Sequence, residues 1–305
     1  MPAWLPQVKG LHLRRTLDSG QAFRWRWGTD TAGREIATGI IDRHVVRLSQ
    51  DARGLCLISP DTSDARNTIL RYLGLSSADG AGIGGIEAML AGDPVLARLL
   101  RHTRGISLLV QDPWEVLISF IVSQNNNIPK ITQSIERLSQ ALGEPLDGSA
   151  YAFPPPARLA SAHPRTLQAC LLGYRAPYVR AAARQVVDGR LDLVALQHMS
   201  ESGARDVLCG VPGIGEKVGD CILLFGLRHM TAFPVDVWVR RAVERLYFRN
   251  RSRTLEQIRT FARDRFGPLA GYAQQHLFAY ARAHFRNAPR HLPRRGDRRT
   301  LVSEG

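Results

Sequence analysis

The sequence predicts an α+β fold, in which an antiparallel-sheet domain is followed by an all-α region. Three observations predict it. The 305 residues suffice for two domains at roughly 100–200 residues each. Hydrophobic residues make up 44% and charged residues 22%, the balance of a folded chain with a sizeable core rather than a disordered or fibrous one. The hydrophobic period also changes from strand-like alternation to helical spacing near residue 111.

Within residues 1–105, Leu11, Leu13, Arg15 and Leu17 share one parity, and Phe23 and Trp25 alternate with Arg24 and Arg26. Apolar runs over 40–48 and 55–58 are bounded by Gly, Asp and Pro. All of these read as strands. Helical spacing over 64–73 and 86–102 completes an α+β domain. Beyond it, Asp112-Pro113 supplies an N-cap and a first-position proline, and Trp114, Leu117, Ile118, Ile121 and Val122 share one helical face. Pro129 opens the next helix, with Ile131, Ile135, Leu138 and Leu142 inward. Pro164 starts another that Gly173 can end, and Pro177 one that ends near Gly189. Thr254 to Gln257 is a capping-box pattern, and a last helix carries Tyr272, Leu277, Phe278 and Ala281. The all-α region is drawn over 106–287. Residues 288–305 read as a basic, disordered tail, either an extra contact to a polyanion or a solvated end with no role.

Charge indicates the kind of partner. Lys plus Arg is 41 and Asp plus Glu is 27, a net charge of +14. So basic a chain is expected to meet nucleic acid, although some proteins are simply basic. Lys9, Lys130 and Lys217 are its lysines, and every other cation among the 41 is arginine. A chain that prefers arginine this strongly has reasons for its few lysines, and one such reason is chemistry that requires a free amine. Cys56, Cys170, Cys209 and Cys221 form no C-x-x-C pair and match no zinc or iron–sulfur spacing, so buried reduced thiols are expected. No apolar run approaches the ~20 residues of a membrane helix. The start MPAWLPQVKG lacks the pattern of a secretion signal, so a cytosolic, nucleoid or nuclear protein is expected.

The informative segment is 208–227. Gly210, Gly213 and Gly215 surround Pro212 in a tight turn between two helices, a helix-hairpin-helix element. Glycine permits positive φ and close backbone approach. The N–H groups at the start of the second helix then suit a phosphate diester. An ordinary glycine-rich turn is the plainer reading. Lys217 falls in the first turn of that helix, where the positive dipole end and partial burial both favour a free amine, the nucleophile of Schiff-base chemistry. Asp236, in Phe233-Pro-Val-Asp-Val-Trp238, is placed to cap a helix over 237–246 and to stay ionised there. By itself it is explained as a cap. Together, an amine and an anion facing a phosphate-binding turn suit attack on a sugar carbon.

The hairpin, the lysine and Pro-Val-Asp resemble the helix-hairpin-helix superfamily of DNA base-excision glycosylases. Ser19-Gly-Gln-Ala-Phe-Arg-Trp25, Gln111-Asp-Pro-Trp114, Ser123-Gln-Asn-Asn-Asn-Ile128, Leu172-Gly-Tyr-Arg175 and Tyr272-Ala-Gln-Gln-His-Leu-Phe278 resemble its 8-oxoguanine DNA glycosylase/lyase branch, in order from about residue 11 to 285. The resemblance implies that Lys217 attacks C1′ of the damaged nucleotide and that Asp236 stabilises the cationic sugar and assists proton transfer. It implies that the Gly20 carbonyl accepts the N7–H of oxidised guanine and that Gln274 bonds the Watson–Crick edge. Phe278 and Cys221 would sandwich the flipped base, Asn125 fill the emptied stack and Tyr174 wedge beside it. Arg175 and Lys130 would read the orphaned cytosine, while Gly213 and Gly215 carry the phosphate-binding hairpin.

The same resemblance implies duplex DNA containing oxidised guanine as partner and a monomer in action. It implies no organic cofactor or catalytic metal, although the family's hairpin can hold a monovalent cation. Two departures stand out: Lys130 where arginine is common, and Trp238 where some members have histidine. No cysteine follows Cys221, which excludes the iron–sulfur cluster of the endonuclease III branch. Two alternatives remain, a sister glycosylase for another damaged base and a noncatalytic DNA-binding module. Gly20 with Gln274 argues against the first, and Lys217 with Asp236 against the second.

Overall fold

The computed structural model describes residues 3–5, 8–59, 62–75, 82–148 and 150–285. The tail drawn over 288–305 lies outside them. A five-stranded antiparallel sheet runs in the order β1-β5-β4-β3-β2, from β1 (Ala3–Leu5), β2 (Arg26–Thr29), β3 (Glu35–Ile41), β4 (His44–Asp51) and β5 (Gly54–Ser59). Ile41 pairs with His44 across Asp42-Arg43, and both turn residues have positive φ, 45° and 66°, which supplies the twist a two-residue hairpin needs. Leu48, Leu55 and Leu57 face a core closed by α1 (Leu13–Leu17) and α2 (Ser63–Tyr72).

The structure corrects the reading at three places here. Residues 11–17 are not a strand. Leu13, Thr16 and Leu17 form the buried face of α1, and His12 caps it by accepting the Arg15 N–H at 3.4 Å. A leucine pair four residues apart satisfies both periods, and the exposed Arg15 shows which one holds. Phe23 to Trp25 also lie outside the sheet, since β2 begins at Arg26. The helix expected over 86–102 is two, α3 (Gly82–Leu90) and α4 (Pro94–Thr103). Asp93 Oδ1 accepts from Val95 and Leu96 at 2.8 and 2.9 Å, so a new N-cap opens where Pro94 cannot continue the preceding ladder.

The helical region follows with α5 (Pro113–Val122), α6 (Ile128–Leu142), α7 (Pro156–Ser161), α8 (Pro164–Ala169), α9 (Ala176–Val187), α10 (Leu193–His198), α11 (Glu201–Cys209), α12 (Glu216–Phe225), α13 (Val237–Leu246), α14 (Leu255–Phe266) and α15 (Ala270–His284). Asp112 caps α5 and the Thr254–Gln257 box caps α14, both as the sequence predicts. α8 stops at Ala169, short of Gly173, because Leu171 turns left-handed at φ 61° and Gly173 enters a 3₁₀ turn. α5 is enclosed on all sides rather than one-faced, with Trp114 and residues 116–122 buried, because it packs against α12 inside the first helical core.

A second helical core joins α4 to α13, α14 and α15 through Leu96, Leu99, Leu100, Val239, Val243 and Leu277. The packing therefore carries α4 into the helical body, although it precedes the boundary drawn at residue 105. Among the described residues, no helix is long and apolar enough to cross a membrane.

Candidate active site

The hairpin between α11 and α12 is built for close approach on one side and openness on the other. Val211 and Ile214 are buried and anchor the turn from within. Gly213 has φ 88°, and a Cβ there would overlap the Tyr178 ring, so glycine is required twice over. A Cβ on Gly215 would meet nothing within 4 Å. Gly215 is the N-cap of α12 and offers no side-chain cap, which leaves the first-turn N–H groups for an external anion. Of the three hairpin glycines, only Gly213 has a positive φ.

Behind the turn lies an ion-pair network that motif reading missed. Asp220 is fully buried and accepts from Arg205 Nε on α11 at 2.8 Å and Arg259 Nε on α14 at 2.7 Å. Arg259 also reaches Glu216 at 3.2 Å, and Arg205 reaches Glu201 at 2.5 Å. The network ties both hairpin helices to α14. Burial pushes the Asp220 carboxyl up, and the two guanidinium groups pull it back. Its trace in the sequence is one acid inside the apolar run 218–225.

Lys217 and Asp236 face one cavity of about 360 Å³, within the usual size range of ligand pockets. Lys217 is half-buried, with Nζ 5.8 Å from the centre of the Phe120 ring. Asp236 caps α13, accepting the N–H groups of Trp238 at 2.9 Å and Val239 at 2.8 Å. The sequence reading has this carboxylate held ionised by the helix start. The structure corrects the balance: burial pushes its pKa above the ordinary carboxylate range, while the Val239 N–H, Lys217 and the Trp238 N–H pull it back. Such a group can stabilise a cation and also take part in proton transfer. Trp238 lines the same cavity.

Gly20, Gln274, Phe278 and Cys221 line this cavity too. Gly20 follows α1 with φ 80°, and a Cβ there would stand 3.3 Å from Phe278 Cε1. Its loop is stitched down by Gln21, which is 1% exposed. Gln21 donates to Ser107 O at 2.8 Å and Ser19 Oγ at 2.9 Å, and accepts from Leu109 N at 2.8 Å. Sequence reading quoted Gln21 within a motif without giving it this positioning role. Gln274 donates through Nε2 to Pro234 O at 3.2 Å, while its buried Oε1 has no partner. Burial in apolar surroundings pushes the Cys221 thiol up to about 12, which makes it a surface to pack against rather than a nucleophile. The expectation of buried thiols holds for three of the four cysteines, and Cys209 is exposed.

Asn125, Tyr174 and Arg175 form a separate cluster outside the cavity lining, while Asn126 and Asn127 line it. Asn125 adopts φ 46°, a conformation asparagine tolerates, and donates to Tyr174 Oη at 3.2 Å. Tyr174 is 51% exposed. Arg175 is buried beneath Tyr174, and its guanidinium donates to the carbonyls of Gln124, Asn125 and Leu172. Its fork holds the Asn125 turn. Lys130 is exposed in the first turn of α6, between Pro129 and Ile131 of the cavity lining but not part of it.

Comparisons with known proteins identify the family. Residues 118–268 match the HhH-GPD superfamily of base excision DNA repair proteins, and residues 5–117 match the 8-oxoguanine DNA glycosylase N-terminal domain. The chain is 30% identical to an N-glycosylase/DNA lyase of Saccharomyces cerevisiae, over 88% of this chain and 83% of that protein. It is 33% identical to an N-glycosylase/DNA lyase of Arabidopsis thaliana, over 78% of this chain and 67% of that protein. Its structure is similar to that of the Clostridium acetobutylicum 8-oxoguanine glycosylase/lyase bound to double-stranded DNA containing cytosine opposite 8-oxoG. The TM-score is 0.82 at 33% identity, covering 90% of this chain and 92% of that one.

Proposed function

Since the chain belongs to the HhH-GPD superfamily of base-excision DNA repair proteins and carries the 8-oxoguanine DNA glycosylase N-terminal domain, we propose that its cavity is where oxidised guanine is removed from DNA. It is a bifunctional DNA glycosylase and abasic-site lyase that acts on double-stranded DNA with 8-oxoguanine opposite cytosine. The observation that carries the reading is the meeting of Lys217, Asp236, Gly20 and the unpartnered Gln274 Oε1 around one cavity of about 360 Å³.

The chemistry follows from the groups present. The base must leave the stack to reach this cavity, which costs a few kcal/mol that the pocket and the Asn125–Tyr174 cluster offset. Lys217 Nζ, as the free amine, attacks C1′ while the C1′–N9 bond breaks. The bonding electron pair leaves with the base, which takes up a proton. Asp236 stabilises the positive charge that develops on the sugar and relays protons. Transfer of the amine proton to O4′ opens the ring and leaves a Schiff base between Lys217 and C1′. Loss of a proton from C2′ then expels the 3′ phosphate by β-elimination, and water releases the lysine. The open N–H groups at Gly215–Lys217 hold a backbone phosphate beside the reacting sugar.

Gly20 and Gln274 account for substrate choice. Oxidised guanine has a donor at N7 where guanine has an acceptor, and a carbonyl at Gly20 favours the donor. Gln274 Oε1 accepts from the Watson–Crick edge. Single-turnover excision of 8-oxoguanine, guanine and an alkylated purine, each opposite cytosine, tests the assignment. Preference for 8-oxoguanine is expected, and preference for the alkylated purine contradicts it.

A further inference from the structure

Gln275 sits beside Gln274 on α15 and lines the same cavity, yet the mechanism above does not use it. It is 1% exposed, and its Oε1 has no hydrogen-bond partner. Phe278 and Arg282 follow it at spacings of three and seven, so the three share one helical face, and all three line the cavity. A buried carboxamide without a partner costs stability. One kept that way against a cavity is explained by what fills the cavity.

The other buried hydrogen-bonding groups of the lining narrow its role. The Ser19 hydroxyl donates to Thr16 O at 2.7 Å. Gln274 has bound one of its two amide N–H groups to Pro234 O, and the atom it leaves buried and unpaired is the acceptor Oε1. The Watson–Crick edge of an oxidised guanine presents the acceptor O6 beside the donors N1–H and N2–H. Gln274 Oε1 can take one of those donors, which leaves O6 in want of a donor of its own. Among the described buried residues of the lining, Gln275 is the carboxamide whose amide donates to no protein group.

We infer that Gln275 is a second base-reading residue, which donates to O6 of the extruded base and so selects a 6-oxo over a 6-amino purine. The inference rests on the glycosylase reading above. It is tested by single-turnover excision of 8-oxoguanine and of 2,6-diamino-8-oxopurine, in which an amino group replaces O6, each opposite cytosine. Wild type, Gln275→Leu and Gln275→Glu are compared.

Gln275→Leu keeps the volume but not the donor. It should slow 8-oxoguanine excision by about 10-fold or more and change the diamino substrate by less than about 2-fold. Gln275→Glu, an acceptor when ionised, should shift preference towards the diamino substrate. Unchanged 8-oxoguanine excision by Gln275→Leu, or an equal loss on both substrates, overturns the inference. A wild type that leaves 8-oxoguanine intact overturns the glycosylase reading and this inference with it. A wild type that excises it normally while the variants behave alike overturns this inference only.

Discussion

The two walls of the cavity use different physics. The hairpin wall, Lys217 with Asp236, carries charge and, in the proposed reaction, makes and breaks the bonds. The facing set, Gly20 with Gln274 and Phe278, holds no ionisable group and works by shape and by polar atoms left without partners. The supports differ in kind as well. Ion pairs through the buried Asp220 brace the hairpin wall. Neutral hydrogen bonds through Gln21 and the Pro234 carbonyl brace the reading wall. The difference teaches that reaction and recognition can be separated by mutation: changes on the first wall should alter the rate on every substrate, and changes on the second the ratio between substrates.

The largest expected effect is on the hairpin wall. Lys217→Gln should lower base release by ~10³-fold or more, because no nucleophile remains, while damaged duplex still binds. Substantial substrate-selective residual activity would break the comparison.

Next comes Asp236→Asn, with a loss of ~10²-fold or more on all substrates, read with the melting temperature because Asp236 also caps α13. Its pKa lies above 3.8, so excision should show an acid limb displaced above that value, and the Asn variant should lack it. The sign for stability is opposite to that of an ordinary paired carboxylate. Ionisation is harder in the fold, so this group's contribution is fullest below pH 3.8 and is lost as pH rises through the raised value.

Smaller changes belong to the reading wall. Gly20→Ala must hold a side chain at φ 80° and press on Phe278, so about 10-fold slower excision of 8-oxoguanine is expected, with duplex binding nearly intact. Gln274→Ala should cost less, since guanine and its oxidised form share the edge it reads. Equal losses on 8-oxoguanine and an alkylated purine would show that this wall does not read.

The smallest effect on activity concerns the back of α15. His276 is buried against Thr103 Oγ1 at 2.9 Å, and burial pushes its imidazole from 6.5 down to about 4. The fold holds it neutral, whereas the unfolded chain gains a proton below pH 6.5. Its contribution to stability, up to about 3 kcal/mol, is present above that pH and lost as pH falls towards 4. His276→Gln should flatten the fall in melting temperature over this window and leave excision at neutral pH unchanged.

The hairpin wall was legible in sequence because its signals are local. A glycine turn, a lysine two residues past the N-cap and an aspartate at the next helix start each declare a backbone need or a charge. The reading wall was visible mainly through resemblance. Gln274 and Gln275 are the same letter twice, and only packing shows that one donates to Pro234 O and that both leave a buried Oε1 unpaired. The bonds that Arg175 makes were not legible, because nothing in its own segment reveals that the carbonyls of Gln124 and Asn125 arrive beside it. Residues 11–17 misled because Leu13 and Leu17 fit both periods, and the choice was settled by burial. That α4 packs on α13 and α15 was not legible either, because its apolar stripe finds those partners far along the chain.

The central claim is that the hairpin wall reacts through Lys217. It is tested most directly by borohydride reduction during turnover on a duplex carrying 8-oxoguanine opposite cytosine, followed by peptide mapping of the trapped protein. A single protein–DNA adduct on Lys217, absent in Lys217→Gln, is the predicted result. An adduct on another residue, or equal trapping by Lys217→Gln, would contradict it.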